Sequence, residues 1–241
     1  MRIIGDQPLD LKEPLWRYFK IERFLELLKS SHLYFAAACQ FEDPFEGAVA
    51  VLPPGFPIDL RYAKAESHER AFEELRRLTK VSCWHRAEYE SDAMWQLYAG
   101  ARKGVAIRTS VERIRDAAKP FRLRPEYGHE ELWAGNVNYV DLLKERLRVG
   151  MMDRFWFKHM AFSWEREFRL AVSVRMAEEF GVQVPKHGIQ VEFDIARLID
   201  RIYLGPSLSE ENIAAIRCAA KEHDLESHIR ITSMLGTPRY T

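Results

Sequence analysis

Two glutamates and an arginine stand at alternate positions in the segment Ser163-Trp-Glu-Arg-Glu-Phe-Arg-Leu-Ala-Val-Ser-Val174. Period two predicts a strand. One face then carries Trp164, Arg166, Phe168, Leu170, Val172 and Val174. The other carries Ser163, Glu165, Glu167, Arg169, Ala171 and Ser173. Beside Trp164 and Trp156, such a row is either a solvated ladder or a prepared site. As a ladder, Arg169 relieves the repulsion between two like charges. As a site, the carboxylates orient a hydroxyl and stabilise a developing cation.

Other residues with chemical potential are more easily explained by packing. In Phe41-Glu-Asp-Pro-Phe-Glu-Gly47, Asp43 before Pro44 is a turn initiator whose side chain bonds backbone amides; a catalytic part for Asp43 or Glu46 is the lesser reading. In Ser82-Cys-Trp-His85, Cys83 and His85 are two apart on a strand and no activating partner is evident, so Cys83 reads as a small buried hydrophobe. Ser82 shares a face with Trp84. Trp95 and Tyr98 are three apart on a helix and share a side, which suits a core or an aromatic wall. The eight histidines are scattered and there is no HExxH, so no metal is expected. Neither GxxxxGK[ST] nor GxGxxG occurs. A restriction-type nuclease would want Glu-x-Lys where this chain has Glu167-Phe-Arg169, and arginine is a poor substitute.

The elements that must position these residues follow from periodicity. Leu15–Phe19, Leu33–Phe35, Lys80–Trp84, Gly104–Arg108, Asn136–Val140, Ile189–Phe193, Arg201–Leu204 and His228–Ile231 read as short strands. Ile21–Ser30, Ala65–Leu78, Asp92–Gly100, Leu147–Phe162 and Ser209–His223 read as helices, with Ser209 as an N-cap. A short turn is expected around Ala196–Leu198, and an irregular connection over Val51–Pro57. About eight strands and five helices without a βαβ rhythm predict an α+β fold, as a single mixed domain over 1–241.

The chain has 241 residues, enough for a sizeable core, with 47% hydrophobic and 30% charged residues. Its formal net charge is zero, so no global attraction to nucleic acid or anionic membrane is expected. Cys39, Cys83 and Cys218 are far apart and form no CxxC, which fits a reducing compartment. No apolar run approaches a membrane span. The expectation is a cytoplasmic protein with no membrane partner.

These features, in this order, resemble the bacterial family catalogued as Domain of Unknown Function number 2971. The resemblance rests on Trp16-Arg17-Tyr18, Leu33-Tyr-Phe35, Asp43-Pro-Phe-Glu46, the Ser82-Cys-Trp84 strand, Met94-Trp-x-x-Tyr98, the Gly-Val-Ala-Ile strand, Lys158 and Glu165-Arg-Glu-Phe-Arg169. It spans about residues 15 to 235. Glu42 departs from it, since the family has asparagine there. The family implies no established activity.

A more distant similarity does. Arginine-directed ADP-ribosyltransferases carry an Arg on an early strand, a Ser on a middle strand and Glu-x-Glu on a later one, on a split sheet. The matching residues are Arg17, Ser82 and Glu165-x-Glu167. The similarity implies NAD as substrate. Arg17 would hold its pyrophosphate and Ser82 would position the nicotinamide ribose. Glu167 would stabilise the oxocarbenium ion, and Glu165 would orient or deprotonate the acceptor, a protein or a nucleic acid. Trp84, Trp95 or Tyr98 would stack on the nicotinamide, and Arg169 would keep Glu167 ionised. A toxin or anti-phage role would follow. The competing expectation is a non-catalytic nucleotide, nucleic-acid or protein binding module, using Arg61, Arg76, Arg77, Arg102, Lys103, Arg122 and Arg124 as a local anion surface. A third is magnesium-dependent phosphodiester hydrolysis by Asp43, Glu165 and Glu167.

Overall fold

The computed structural model describes residues 1–5, 8–43, 45–49, 65–232 and 234. The connection expected over 51–57, the turn residue Pro44 and the basic residue Arg61 lie outside the described residues.

The class is α+β. Strands are β1 (Arg2–Ile3), β2 (Pro14–Phe19), β3 (His32–Ala37), β4 (Thr79–Arg86), β5 (Val105–Ser110), β6 (Leu132–Asn136), β7 (Asn138–Val140), β8 (Phe157–His159), β9 (Glu167–Ser173), β10 (Gly188–Glu192), β11 (Arg201–Leu204) and β12 (Ile229–Ile231). Helices are α1 (Ile21–Ser30), α2 (Ala65–Leu78), α3 (Asp92–Tyr98), α4 (Val111–Ala117), α5 (Arg175–Glu179), α6 (Ile195–Leu198) and α7 (Glu210–Lys221). The strands beyond the expected eight include two- and three-residue pieces such as β1, β7 and β8, too short to show a period. None of the described helices is long and apolar enough to cross a membrane.

Contacts group the chain into two compact units, each assembled from three separated segments. The first comprises Met1–Leu9, Tyr34–Cys83 and Pro120–Gln190. Its strands run in the order β1-β6-β9-β4. β6 and β9 are antiparallel, with Gly135 opposite Arg169 and Ala134 opposite Leu170. β3 pairs with β4 through Ala36–Val81 and Ala37–Lys80. β9 thus has a neighbour on each side, and residues 167–172 are buried whichever way they point. α2 runs into β4 with no loop between them, and the Thr79 hydroxyl closes the last helical turn on the Leu75 carbonyl at 2.8 Å.

The second unit comprises Asp10–Leu33, Trp84–Lys119 and Val191–Thr241. β2 and β5 pair antiparallel from Pro14–Ser110 to Phe19–Val105. β5 continues to β11, and β11 to β12 in parallel. Alternation along β2 sends Trp16 and Tyr18 into a cluster with Met94 and Trp95 of α3. α1 buries Phe24, Leu27 and Leu28 as one stripe and ends on Ser31 in the left-handed region. Ser209 caps α7 by accepting from the Asn212 amide at 3.3 Å.

Three expectations need correction. The helix expected over Leu147–Phe162 is absent: 3₁₀ turns span Asp153–Trp156 and Met160–Glu165, with β8 between them. Phe155 and Trp156 are adjacent and both fully buried, which no single helical stripe achieves. The strand expected from Ser163 begins only at Glu167, after Arg166 turns the backbone into the left-handed region at φ 44°. Trp164 therefore belongs to a 3₁₀ turn and is 45% exposed, not on a core face. The strand expected over Asn136–Val140 is two, β6 and β7, separated at Val137, whose amide donates to the Glu167 carbonyl at 2.9 Å.

Candidate functional site

Residues around β9 form one buried ionic cluster within the first unit. β8 contributes Lys158, whose ammonium donates to Glu165 Oε2 at 2.5 Å and to Glu167 Oε1 at 2.7 Å. On β9, Arg169 Nε donates to Glu167 Oε2 at 2.6 Å. The other edge of that guanidinium grips Glu46 with both terminal nitrogens, Nη2 reaching Oε2 at 2.9 Å. Nη1 also donates to the Phe155 carbonyl at 2.7 Å. The Arg169 and Glu46 side chains are each 1% exposed. The solvated ladder is thereby excluded.

Local backbone explains how the groups meet. The 3₁₀ turn ends at Glu165, Arg166 reverses the chain's hand, and β9 begins at Glu167. The two carboxylates flank that left-handed residue and close on the same ammonium. Trp156 is anchored by its Nε1 donating to the Gly135 carbonyl at 3.0 Å, which fixes the start of β8. The Tyr139 hydroxyl accepts from the Glu167 amide at 2.8 Å. The Lys158 ammonium lies 4.6 Å from the centre of the Phe162 ring.

The charges do not balance if every group ionises. Glu46, Glu165 and Glu167 face only Lys158 and Arg169, leaving one negative charge in excess. A proton on Glu165 removes it. Burial, and then the bond to and charge of Glu167, push the Glu165 carboxyl up to about 7. Burial alone would raise Glu167 too, but Arg169, the hydrogen bond with Glu165 and then Lys158 hold it well below the usual carboxylate range. The two titrate as a coupled pair. Burial would lower Lys158 and Arg169, and the surrounding carboxylates raise both instead. The Cys83 thiol is pushed well up by burial and by the charge of Glu167.

No family model matches the chain, and no curated protein matches it.

The remaining expected residues lie as follows. Ser82 is buried on β4 in the first unit. Arg17 belongs to the second unit, its guanidinium 5.4 Å from the Phe19 ring and 5.5 Å from the Trp84 ring. Trp84 and Trp95 are both fully buried, and Trp95 is held by Glu90 at 3.0 Å and by the edge of Tyr18. Tyr98 is half-exposed, so Trp95 and Tyr98 do not make one wall. Asp43 accepts from the Phe45 amide at 2.9 Å, as a turn initiator does. Of the side chains considered for an anion surface, Arg76, Arg77, Arg102 and Arg124 each face a carboxylate. Asp43 does not join Glu165 and Glu167 as three metal donors; no such group forms among the described residues, and Lys158 stands between the two glutamates where a dication would sit.

Glu46, weighed in the sequence only as a lesser catalytic candidate, is the partner of Arg169. The signal for Glu46 was present: an arginine on a buried strand needs more acceptors than one glutamate supplies.

Proposed function

We propose that the protein consumes NAD as an ADP-ribosyltransferase-like enzyme, with Glu165 and Glu167 as its catalytic pair. The observation that carries this reading is the opposite drift of two carboxyls sharing one ammonium. Glu167 stays ionised and Glu165 is poised near neutrality. An ionised carboxylate is what an oxocarbenium ion requires as the bond from ribose C1′ to nicotinamide breaks and the electron pair leaves with nicotinamide. A carboxyl near pH 7 is suited to take the proton of the acceptor as its lone pair attacks C1′. The products are nicotinamide, ADP-ribosylated acceptor and a proton. The order of Arg17, Ser82 and Glu-x-Glu in the sequence supports the same reading.

The test is nicotinamide release from millimolar NAD, for the native protein and for Glu165→Gln and Glu167→Gln. Glutamine mimics a protonated carboxyl, so Glu165→Gln keeps the fold. A drop of about 100-fold or more in each variant is expected. Unchanged release in both would remove the pair from the chemistry. A second reading, the non-catalytic binding module, is favoured by one observation: all five ionic groups already have partners inside the protein. It predicts saturable ligand binding with no release by the native protein.

A further inference from the structure

The first unit holds a cavity of about 780 Å³, in the range of small-ligand sites. Phe72, Leu75 and Leu78 of α2 form one wall. Val49 and Met151 contribute further apolar surface. Two charged side chains line the cavity besides Arg154: Glu74, which is bonded by Arg77, and Arg175, which is bonded to Glu179 on its own helix. Arg154 differs from both. It forms no ion pair among the described residues, its Nε is buried with no hydrogen-bond partner there, and its guanidinium lies 5.8 Å from the Phe72 ring. Burial alone pulls its pKa down, with no acid to oppose it. A half-buried cation with only an aromatic face beside it is costly unless an anion joins it.

We infer that this cavity binds a small amphipathic anion, an aliphatic or aromatic body on the Phe72–Leu75–Leu78 wall with its carboxylate or other anionic head on Arg154. Charge complementarity selects the occupant: the lining is mostly apolar, and among the described residues its one charge without an ion pair is positive. A neutral amphiphile leaves Arg154 as it is, and a cationic one meets repulsion. The site is independent of the NAD reading, since it uses none of the residues proposed for that chemistry. Two stretches of chain nevertheless serve both places. Glu46 grips Arg169 while Val49 lines the cavity, and Phe155 accepts from Arg169 while its neighbour Arg154 faces the cavity.

The test is isothermal titration of the full chain with decanoate, decanol and decyltrimethylammonium, all below their micellar concentrations. The expected result is saturable binding of one decanoate per chain, at least about tenfold tighter than decanol, with the cationic analogue weakest. Arg154→Met keeps the apolar bulk and should bring decanoate down to the affinity of decanol while leaving decanol unchanged. Ala71→Trp, at an exposed position of α2 on the cavity, should fill the space and weaken both without unfolding the helix. Equal binding of decanoate and decanol, decanoate binding indifferent to Arg154→Met, or no saturable binding would each overturn the inference.

Discussion

Glu165 and Glu167 stand on opposite sides of a left-handed residue, yet both carboxylates end on the ammonium of Lys158. One is the last residue of a 3₁₀ turn and the other the first of a strand. Their electrostatic fates diverge because Arg169 bonds Glu167 directly, while Glu165 is raised by burial and then by that same Glu167.

That divergence makes stability depend on pH in a defined direction. Folding raises the Glu165 carboxyl from its ordinary 4.5 to about 7. The folded state therefore binds more protons than the unfolded one between those values. The stabilisation from Glu165 is complete below pH 4.5 and is lost as pH rises through 7, at up to about 1.4 kcal/mol per pH unit. Glu167 acts oppositely and in another window: its contribution is present above 4.5 and lost as pH falls below it. Urea melts at intervals from pH 5 to 8 should show declining stability, and Glu165→Gln should flatten the decline. A flat native profile would contradict the shared proton.

Removing Lys158 should expose how much the pair depends on it. Lys158→Met strips the cation from between two buried carboxylates and should cost about 3–5 kcal/mol at pH 8. The loss should shrink at pH 5, where protonation of Glu165 relieves the repulsion. Lys144→Met is the control: Lys144 is 82% exposed in its pair with Asp141, and its loss should leave the melting temperature unchanged. Chemical denaturation of the two variants side by side distinguishes these outcomes.

Gly47 follows Glu46 of the cluster in the chain. Its φ is +75°, and a Cβ there would lie 2.7 Å from Cε1 of Phe155, the residue whose carbonyl holds Arg169. Gly47→Ala should therefore destabilise by about 2–4 kcal/mol, strain and overpacking together. Gly181 has nearly the same φ, +78°, with nothing within 4 Å of a Cβ. Gly181→Ala should cost only the conformational part, about 1–2 kcal/mol. Equal losses in thermal melts would mean that the Phe155 contact yields freely.

The three thiols should separate by reactivity. Cys39 and Cys218 are exposed, whereas burial and the nearby charge of Glu167 raise the Cys83 thiol well above its ordinary pKa. The thiolate is the reactive form, so Ellman titration of the native protein at pH 8 should show two fast thiols and a third only in urea. Three fast thiols would place Cys83 outside the cluster's field.

Much of this was legible from residue patterns, and the exceptions have physical causes. α1, α2 and β11 were readable to the residue, because their apolar periods are intact, and β11 is stopped by Gly205-Pro206. The stretch from Leu147 to Phe162 was misread because its aromatics are consecutive, and tertiary contacts such as Trp156 to Gly135 decide their placement. Glu165, Glu167 and Arg169 stood out in the sequence as a row of ionisable groups, but their closing on Lys158 in one buried cluster was not readable from spacing alone. For Glu46 the signal was incomplete: a buried arginine announces that it needs a further acid, but nothing local says that the acid lies 123 residues away.

That separation also governs how the chain is made. A ribosome delivers Glu46 long before Arg169, and at about 5–20 residues per second the interval is roughly 6–25 s. Throughout it, the early glutamate emerges without the guanidinium that accompanies it in the finished protein. The first unit cannot close during synthesis of its own first two segments, so the nascent polypeptide waits open, within reach of chaperones and proteases. A premature stop codon before residue 169 would remove more than a tail: it would leave a glutamate near the front of the polypeptide without its countercharge.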